Sequence, residues 1–256
     1  MKTNSIKNAL LVTVFSVTAS FAQHAFVNTP PEVSPMPMKP EMTEIWDPEI
    51  SVVTPGATPV DAPSDAVVLF DGKTLSTEWT NNDGNEAGWT VADGSVTVKR
   101  GAGVIKTKRQ FNDFQLHIEW RSPSEVVGES QGRGNSGVFL QGLYEVQVLD
   151  NFNNRTYRNG QAGSLYKQHP PLVNASKGPG VWQVYDIIYT APRFNTNATY
   201  FTPPYVTVIH NGVLVQNPTE YIGVPEYFVK PHGAGPIILQ DHGNPVSYRN
   251  IWIREL

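Results

Sequence analysis

The chain has 256 residues, a formal net charge of −4 at pH 7 and no cysteine. The mild negative charge and the lack of any Lys/Arg cluster argue against nucleic acid and anionic membranes as partners. Without cysteine there are no disulfides and no lipid-modified cysteine, so stability depends on a sizeable apolar core. The oligomeric state is left open.

The first 22 residues have the pattern of a secretory signal peptide. Lys2 and Lys7 precede an apolar run at 9–17, and Ser-Phe-Ala then supplies a cleavage site. The run is too short to span a bilayer, which favours cleavage over anchoring. We therefore expect an exported protein, periplasmic or secreted, with no membrane attachment after cleavage.

Residues 23–65 are rich in proline, which blocks helix and strand pairing and favours extended conformations. This composition predicts a linker or a loosely attached arm. Within it, EIWDPEI is expected to dock on the domain and bury Trp46 and Ile50, because burying a tryptophan stabilises a fold.

From residue 66 to residue 256 the sequence predicts one all-β domain. Helical periodicity is almost absent, and β-rich runs alternate with turns of Gly, Asn, Asp and Pro. The steps ADGS and HNGV place glycine where a hairpin needs positive φ. We expect a jelly-roll sandwich of two antiparallel sheets, since no internal repeat suggests a propeller. The predicted strands are AVVLF, GWTVADGSVTVKR, GVIKTK, FQLHIEWRS, SGVFLQG, YEVQVLD, WQVYDIIYT, YVTVIHNGVLVQ, GPIILQDHG and YRNIWIREL.

Several of these strands carry polar residues at alternate positions. In FQLHIEWR, the residues Gln115, His117, Glu119 and Arg121 share one face, opposite the apolar ones. In YEVQVLD, Glu145 lies on the polar face, and Gln147 shares it.

Towards the C-terminus, Gln240 and His242 are expected to share a face. Arg249 is expected to point away from Asn250 and Trp252. A solvated sheet face would explain such alternation. The mixture of Glu, Arg, Gln, His and Asn with Trp and Tyr also suits sugar hydroxyls, which need donors, acceptors and a flat aromatic surface.

A set of blocks occurs in a fixed order and resembles the 3-keto-disaccharide hydrolase family. The blocks are VVLFDGKTLSTEW, GWTVADGSVTV, FNDFQLHIEWR, GNSGVFLQGLYEVQVLD, WQVYDIIYTAPRF, VTVIHNGVLVQ and GPIILQDHGNPVSYRNIWIREL. The resemblance implies a concanavalin A-like jelly roll and a small carbohydrate substrate, a glycoside oxidised at the third carbon of a hexose. It fixes no catalytic residue.

A weaker resemblance concerns EVQVLD, which places Glu145, Gln147 and Asp150 at the spacing of a cleft strand in mixed-linkage β-glucanases. Residues i and i+5 lie on opposite faces of a regular strand, so only a bulge would bring the two carboxylates together. The sequence also departs from the glucanase pattern at two of three positions. Both points argue against double displacement, which needs two carboxylates about 5 Å apart.

A 3-keto sugar needs one base near the ring, because the ketone makes the neighbouring C2 proton acidic. Glu145 is the leading base, with Gln147 orienting the sugar and Glu119 as the rival base. His242 is an acid/base candidate or a metal ligand. The alternative to an enzyme is a non-catalytic, lectin-like carbohydrate-binding module.

Other residues are candidates for binding the substrate. Arg121 and Arg249 could polarise the ketone or pair with carboxylates, Glu119 in particular. Asn135 lies between glycines that would let the backbone come close to a ligand. Tyr166 and Trp182 belong to a long loop and are expected to line the pocket. Gln240 completes this set.

The sequence requires no cofactor. A divalent metal is left open, with His242, Glu119, Glu145 and Asp241 as possible ligands. No HxH or HExxH spacing supports such a site.

Overall fold

The computed structural model of the protein describes residues 39–221 and 230–256. The predicted signal peptide lies outside these residues. The chain divides into two compact units, residues 1–50 and residues 51–256. In the described residues, no helix is long and apolar enough to cross a membrane.

The described part of the first unit, residues 39–50, contains a short 3-10 turn at Pro40–Thr43. Trp46 is 79% exposed and Ile50 is 94% exposed. The prediction that these two side chains are buried is therefore wrong. Proline prevents the surrounding segment from forming the regular structure that could build a core around them.

The second unit is built from antiparallel strands. They are β1 (Val67–Phe70), β2 (Trp79–Asn81), β3 (Thr90–Ala92), β4 (Ser95–Thr97), β5 (Ile105–Thr107), β6 (Phe114–Arg121), β7 (Ser136–Leu140), β8 (Tyr144–Val148), β9 (Gln183–Thr190), β10 (Arg193–Phe194), β11 (Tyr200–Thr202), β12 (Tyr205–His210), β13 (Val213–Glu220), β14 (Ile238–Leu239) and β15 (Ser247–Glu255). Short 3-10 turns lie at Ser130–Gly132 and Arg158–Gly160.

Two sheets form the sandwich. The eight-stranded sheet has the order β13-β12-β9-β6-β15-β4-β3, and β1 pairs with β15 as well. The five-stranded sheet has the order β2-β5-β14-β7-β8, while β10 and β11 form a separate ribbon. This confirms the predicted jelly-roll sandwich. All ten predicted runs contain strands, whereas the short strands β2, β10 and β11 were not predicted.

Both predicted hairpin turns are present. Asp93 and Gly94 have φ of 50° and 70° between β3 and β4, and Asn211 and Gly212 have φ of 53° and 80° between β12 and β13. Two consecutive residues in the left-handed region match the right-handed twist of the strands that they join.

The core lies between the two sheets and follows the alternation of the sequence. Leu116, Ile118 and Trp120 of β6 are buried, as are Val138 and Leu140 of β7. Burying each large apolar side chain stabilises the fold by about 1.5–3 kcal/mol. Because these positions point inward, the residues between them point to the outer faces.

The C-terminal strand departs from the predicted alternation. Asn250 has φ of 45°, and the pairing register with β6 shifts between Arg249 and Trp252. This bulge turns Asn250 to the same face as Arg249, since both side chains contact Glu119. The expectation that Arg249 points away from Asn250 and Trp252 is therefore wrong, since Trp252 stacks on His117 of the same face. Tyr248 does point away from Arg249, into the core.

Part of the proline-rich segment, from Ser51 onward, belongs to the second unit. The Val60 carbonyl accepts hydrogen bonds from Asn250 Nδ2 and Trp252 Nε1, each at 2.9 Å. Asp65 pairs with Arg254 at 2.6 Å. These contacts hold the segment on the outer face of the eight-stranded sheet without any strand pairing.

Candidate active site

Glu145 projects from β8 to the outer face of the five-stranded sheet. Its neighbours Tyr144 and Val146 are fully buried in the core, which fixes the outward direction of Glu145. On the adjacent strand, β7, Glu145 pairs with Phe139. Its Oε1 atom lies over Gly137, only 2.5 Å from where a Cβ atom would stand.

The Glu145 carboxyl is a perturbed acid. Burial raises its pKa from 4.5 to about 8. No hydrogen bond or ion pair to the carboxyl is seen among residues 39–221 and 230–256 to offset this loss of solvation. At neutral pH the group is mainly protonated, and it can gain or release a proton near physiological pH.

Two glutamine side chains flank Gly137 on the same face. Gln147 is its partner on β8, and the Gln240 N–H donates to the Gly137 carbonyl at 3.0 Å from the other side. Gln147 Nε2 donates to Gln131 Oε1 at 3.0 Å. The Oε1 atoms of Gln147 and Gln240 are buried and have no hydrogen-bond partner in the described parts of the chain. Buried acceptors without partners are costly, so these two oxygens are available for hydroxyl donors of a ligand.

A tyrosine pair lies beside Glu145. The Tyr166 N–H donates to the Glu145 carbonyl at 3.2 Å, and the Tyr166 and Tyr157 hydroxyls are 2.6 Å apart. Burial raises the pKa of Tyr166 to about 12, helped by Tyr157 and by the negative charge of Glu145, while Lys167 lowers it. Tyr166 therefore remains protonated and can donate a hydrogen bond.

Tyr157 was not predicted from the sequence. It contacts Tyr166 because residues 157–160 and 165–167 fold against each other, with the Lys167 N–H donating to the Asn159 carbonyl at 2.8 Å. The Lys167 ammonium lies 3.8 Å above the Tyr157 ring. No local motif in the sequence signals this arrangement.

Glu119 belongs to a different surface, the outer face of the eight-stranded sheet. Its carboxylate accepts from Arg249 Nε at 2.6 Å and from Asn250 Nδ2 at 3.0 Å. His117 lies 3.8 Å from it and bonds Asp186 at 2.7 Å. Glu119 thus forms the ion pair with Arg249 that the sequence left open as an alternative, with the carboxylate buried and the Arg249 side chain partly exposed.

Arg121 and Trp182 lie on this second surface too. The Arg121 and Arg249 guanidinium carbons stand 4.6 and 4.2 Å from the centroid of the Trp182 ring. Tyr166 and Trp182, which were expected to line one pocket, are therefore on opposite faces of the sandwich. Alternation along a strand predicts which side chains point outward but not which outer face they share.

The remaining candidates lie in loops. Asn135 Nδ2 donates to the Gln131 carbonyl at 2.7 Å, and its N–H donates to Asn244 Oδ1 at 3.1 Å, so Asn135 joins two loops. The His242 side chain, two residues beyond Gln240, is exposed and makes no hydrogen bond to a residue that the structure describes.

Asp150 does not form a carboxylate pair with Glu145. It is buried, accepts from Arg133 Nε at 2.8 Å and accepts from the Phe152 N–H at 3.2 Å. Asp150 is held in this ion pair and is therefore not the second free carboxylate that double displacement requires.

Within the described ranges, no three His, Asp or Glu side chains come together in a way that could hold a metal ion. The four possible ligands suggested by the sequence cannot bind one ion together, because Glu119 and Glu145 lie on opposite faces of the sandwich. That ligand set is therefore wrong.

The fold is an antiparallel β-sandwich, and the five-stranded sheet presents the perturbed Glu145 carboxyl on its outer face. Comparisons with known proteins show which proteins the chain resembles. A curated 3-keto-disaccharide hydrolase of Bacteroides thetaiotaomicron is 26% identical over 244 residues, covering 77% of this chain and 80% of that protein. A crystal structure described as a glycosyl hydrolase of Parabacteroides distasonis is 57% identical with a TM-score of 0.80, covering 86% of this chain and 97% of that one. A second structure from that organism is 22% identical and shares the fold with a TM-score of 0.55. The match covers 75% of this chain and 94% of that one.

Residues 65–254 match the family of 3-keto-alpha-glucoside-1,2-lyase-like domains, and the chain belongs to this family. It is a glycoside-cleaving enzyme.

Proposed function

We propose that the protein cleaves the glycosidic bond of a glycoside already oxidised to a ketone at C3, with Glu145 as the base. The observation that carries this proposal is the desolvated Glu145 carboxyl, which has no ion-pair partner among the described residues and a pKa of about 8. A base of raised pKa is better suited to removing a proton from carbon than an ordinary carboxylate. The names of the family and of the Bacteroides relative support the 3-keto substrate.

The proposed reaction is an elimination followed by hydration. The Glu145 carboxylate removes the C2 proton, and the electron pair of the C–H bond is delocalised onto the C3 oxygen, which converts the ketone into an enolate. The enolate then expels the aglycone from C1, and the aglycone oxygen takes up a proton from solvent. Water adds to C1 of the resulting enone as a hydroxyl group and gives its other proton back to solvent, while C2 regains a proton from Glu145, which gives net hydrolysis. One carboxyl suffices for the two proton transfers at C2.

The surrounding side chains have roles that match their hydrogen-bonding capacity. The Oε1 atoms of Gln147 and Gln240 accept hydrogen bonds from sugar hydroxyls on either side of Gly137. Tyr166, protonated at neutral pH, donates to an oxygen that gains negative charge in the transition state, either that of the ketone or that of the leaving group. His242 is the other candidate for donating a proton or a hydrogen bond to the leaving-group oxygen.

The direct test uses two substrates that differ only at C3. Purified protein should release the aglycone from a 3-keto-glucoside and leave the matching unoxidised glucoside intact, because only the ketone makes the C2 proton acidic. Reducing-end or chromophore release measures both reactions. Cleavage of the unoxidised glucoside alone would show that the chemistry is different. Binding of both without turnover would indicate the lectin-like alternative.

The pH dependence of kcat/KM gives a second test. A base acts in its deprotonated form, so the rate should rise with pH and reach half its plateau near the Glu145 pKa of about 8. At pH 7 only about a tenth of the enzyme carries the active carboxylate. Initial rates between pH 6 and pH 9.5 provide the profile. A rate that falls through pH 8 would make Glu145 the acid rather than the base.

A further inference from the structure

The outer face of the eight-stranded sheet, opposite Glu145, carries a cationic patch. We define it as Arg121 at the end of β6, Arg249 on β15 and Trp182 immediately before β9. The two guanidinium carbons lie 4.6 and 4.2 Å from the centroid of the indole ring. Stacking on a shared ring restricts both arginine side chains. They would therefore lose less conformational entropy when an anionic ligand binds.

Most of the hydrogen-bonding capacity of the patch is unused. The Arg121 side chain makes no hydrogen bond or ion pair with any residue in 39–221 or 230–256. Arg249 uses its Nε atom for Glu119, and its side chain is 41% exposed. Its two terminal nitrogens have no hydrogen-bond partner within the same ranges. A guanidinium group offers five N–H donors in a planar fork, so most donors of both groups face solvent.

The local charge differs in sign from that of the whole chain. Lys177 adds a third cation, with Nζ 3.4 Å from the Trp182 carbonyl oxygen. Of the described carboxylates, Glu119 alone contacts these cations, whereas the chain as a whole has a net charge of −4. The patch is therefore a local excess of positive charge on a negatively charged protein.

Hydroxyl groups extend the patch towards β4. Ser247 is the β15 partner of Arg121, and its Oγ lies 2.8 Å from Thr97 Oγ1. Guanidinium forks and hydroxyls together form a set of donors that fits the oxygens of a carboxylate or a sulfate.

We propose that the patch is a secondary binding site for an oxyanion carried by a glycan, either a uronate carboxylate or a sulfate ester. The site would hold the enzyme on an acidic polysaccharide while leaving the Glu145 face free. The inference that a glycan carries the anion rests on the proposed function. The inference that the patch binds an anion rests only on the geometry of the patch.

The test measures binding of the full-length mature protein to polygalacturonate, dextran sulfate and neutral dextran by affinity gel electrophoresis at low salt. Wild-type protein should be retarded by at least one acidic polymer and not by dextran. The polymer that retards more strongly identifies carboxylate or sulfate as the preferred oxyanion. Arg121→Gln should weaken this binding about tenfold, as expected for the loss of a charge-assisted fork.

Arg254→Gln is the matched control. Arg254 lies on the same sheet but pairs with Asp65, so its loss should leave retardation unchanged. Arg121→Lys retains the charge without the fork and should give an intermediate effect. Melting curves confirm that each variant is folded.

Two results would overturn the proposal. One is the absence of retardation by both acidic polymers, and the other is equal retardation of wild type, Arg121→Gln and Arg121→Lys. Turnover of a small, neutral 3-keto-glucoside should be unchanged in Arg121→Gln, because the patch lies on the face opposite Glu145. Retardation without any turnover by wild type would reject the proposed reaction and leave the anion site standing.

Discussion

Replacing Glu145 with glutamine should lower kcat by about 100-fold or more while the sandwich remains folded. Glutamine has nearly the same shape as glutamate but cannot remove a proton from carbon. The substitution breaks no ion pair with a described residue, because the Glu145 carboxyl lies over Gly137 of β7 and forms no such pair. Steady-state kinetics on a 3-keto-glucoside measure the loss.

The same substitution should increase thermal stability at neutral and mildly alkaline pH. The pKa of Glu145 is raised from 4.5 to about 8 in the folded protein. Between these values the unfolded chain releases a proton that the folded chain retains, so stability that is present below pH 4.5 is lost as the pH rises towards 8. The loss amounts to about 1.4 kcal/mol per pKa unit, and glutamine avoids it. The melting-temperature advantage of Glu145→Gln should therefore grow from pH 5 to pH 8.

Glu86→Gln is the control for both measurements, because Glu86 is an exposed glutamate. It should change neither turnover nor the pH dependence of melting. If Glu145→Gln keeps wild-type turnover, Glu145 is not the base, and Glu119 becomes the candidate despite its ion pair with Arg249.

Alternation within single strands was sufficient to predict the fold and the outward direction of the polar residues. Glu145 and Gln147 point outward because Tyr144, Val146 and Val148 are drawn into the core, a local effect that the sequence displays directly. Alternation failed at Asn250, where the bulge adds a residue to one strand and reverses the direction of the side chains that follow.

The composition of the site could not be predicted in the same way. Both sheets of the sandwich have a polar outer face, and nothing within a strand indicates to which sheet it belongs. Arg121 and Trp182 were therefore grouped with Glu145 although the sheets separate them. Tyr157 was missed because its contact with Tyr166 depends on the folding of two loop segments.

Replacing Gly137 with alanine should lower kcat/KM by about 10- to 100-fold, because small displacements of catalytic groups have effects of this size. An alanine Cβ would stand 2.5 Å from Glu145 Oε1 and 3.1 Å from the Phe139 ring. The carboxyl is the far end of a flexible side chain, so it would swing towards solvent rather than unfold the strand. Better solvation would lower the Glu145 pKa, and the midpoint of the pH–rate profile should move below 8.

The melting temperature separates this effect from damage to the fold. Glycine in the middle of a strand is unfavourable, so alanine at position 137 should leave stability unchanged or raise it while activity falls. Gly88→Ala is the matched control, because a Cβ at Gly88 meets only the Ala102 side chain at an ordinary 3.5 Å. Wild-type turnover in Gly137→Ala, with a midpoint still near pH 8, would show that the carboxyl need not lie over Gly137. Reduced turnover with a lowered midpoint would show instead that glycine at this position of β7 leaves the room that the base needs.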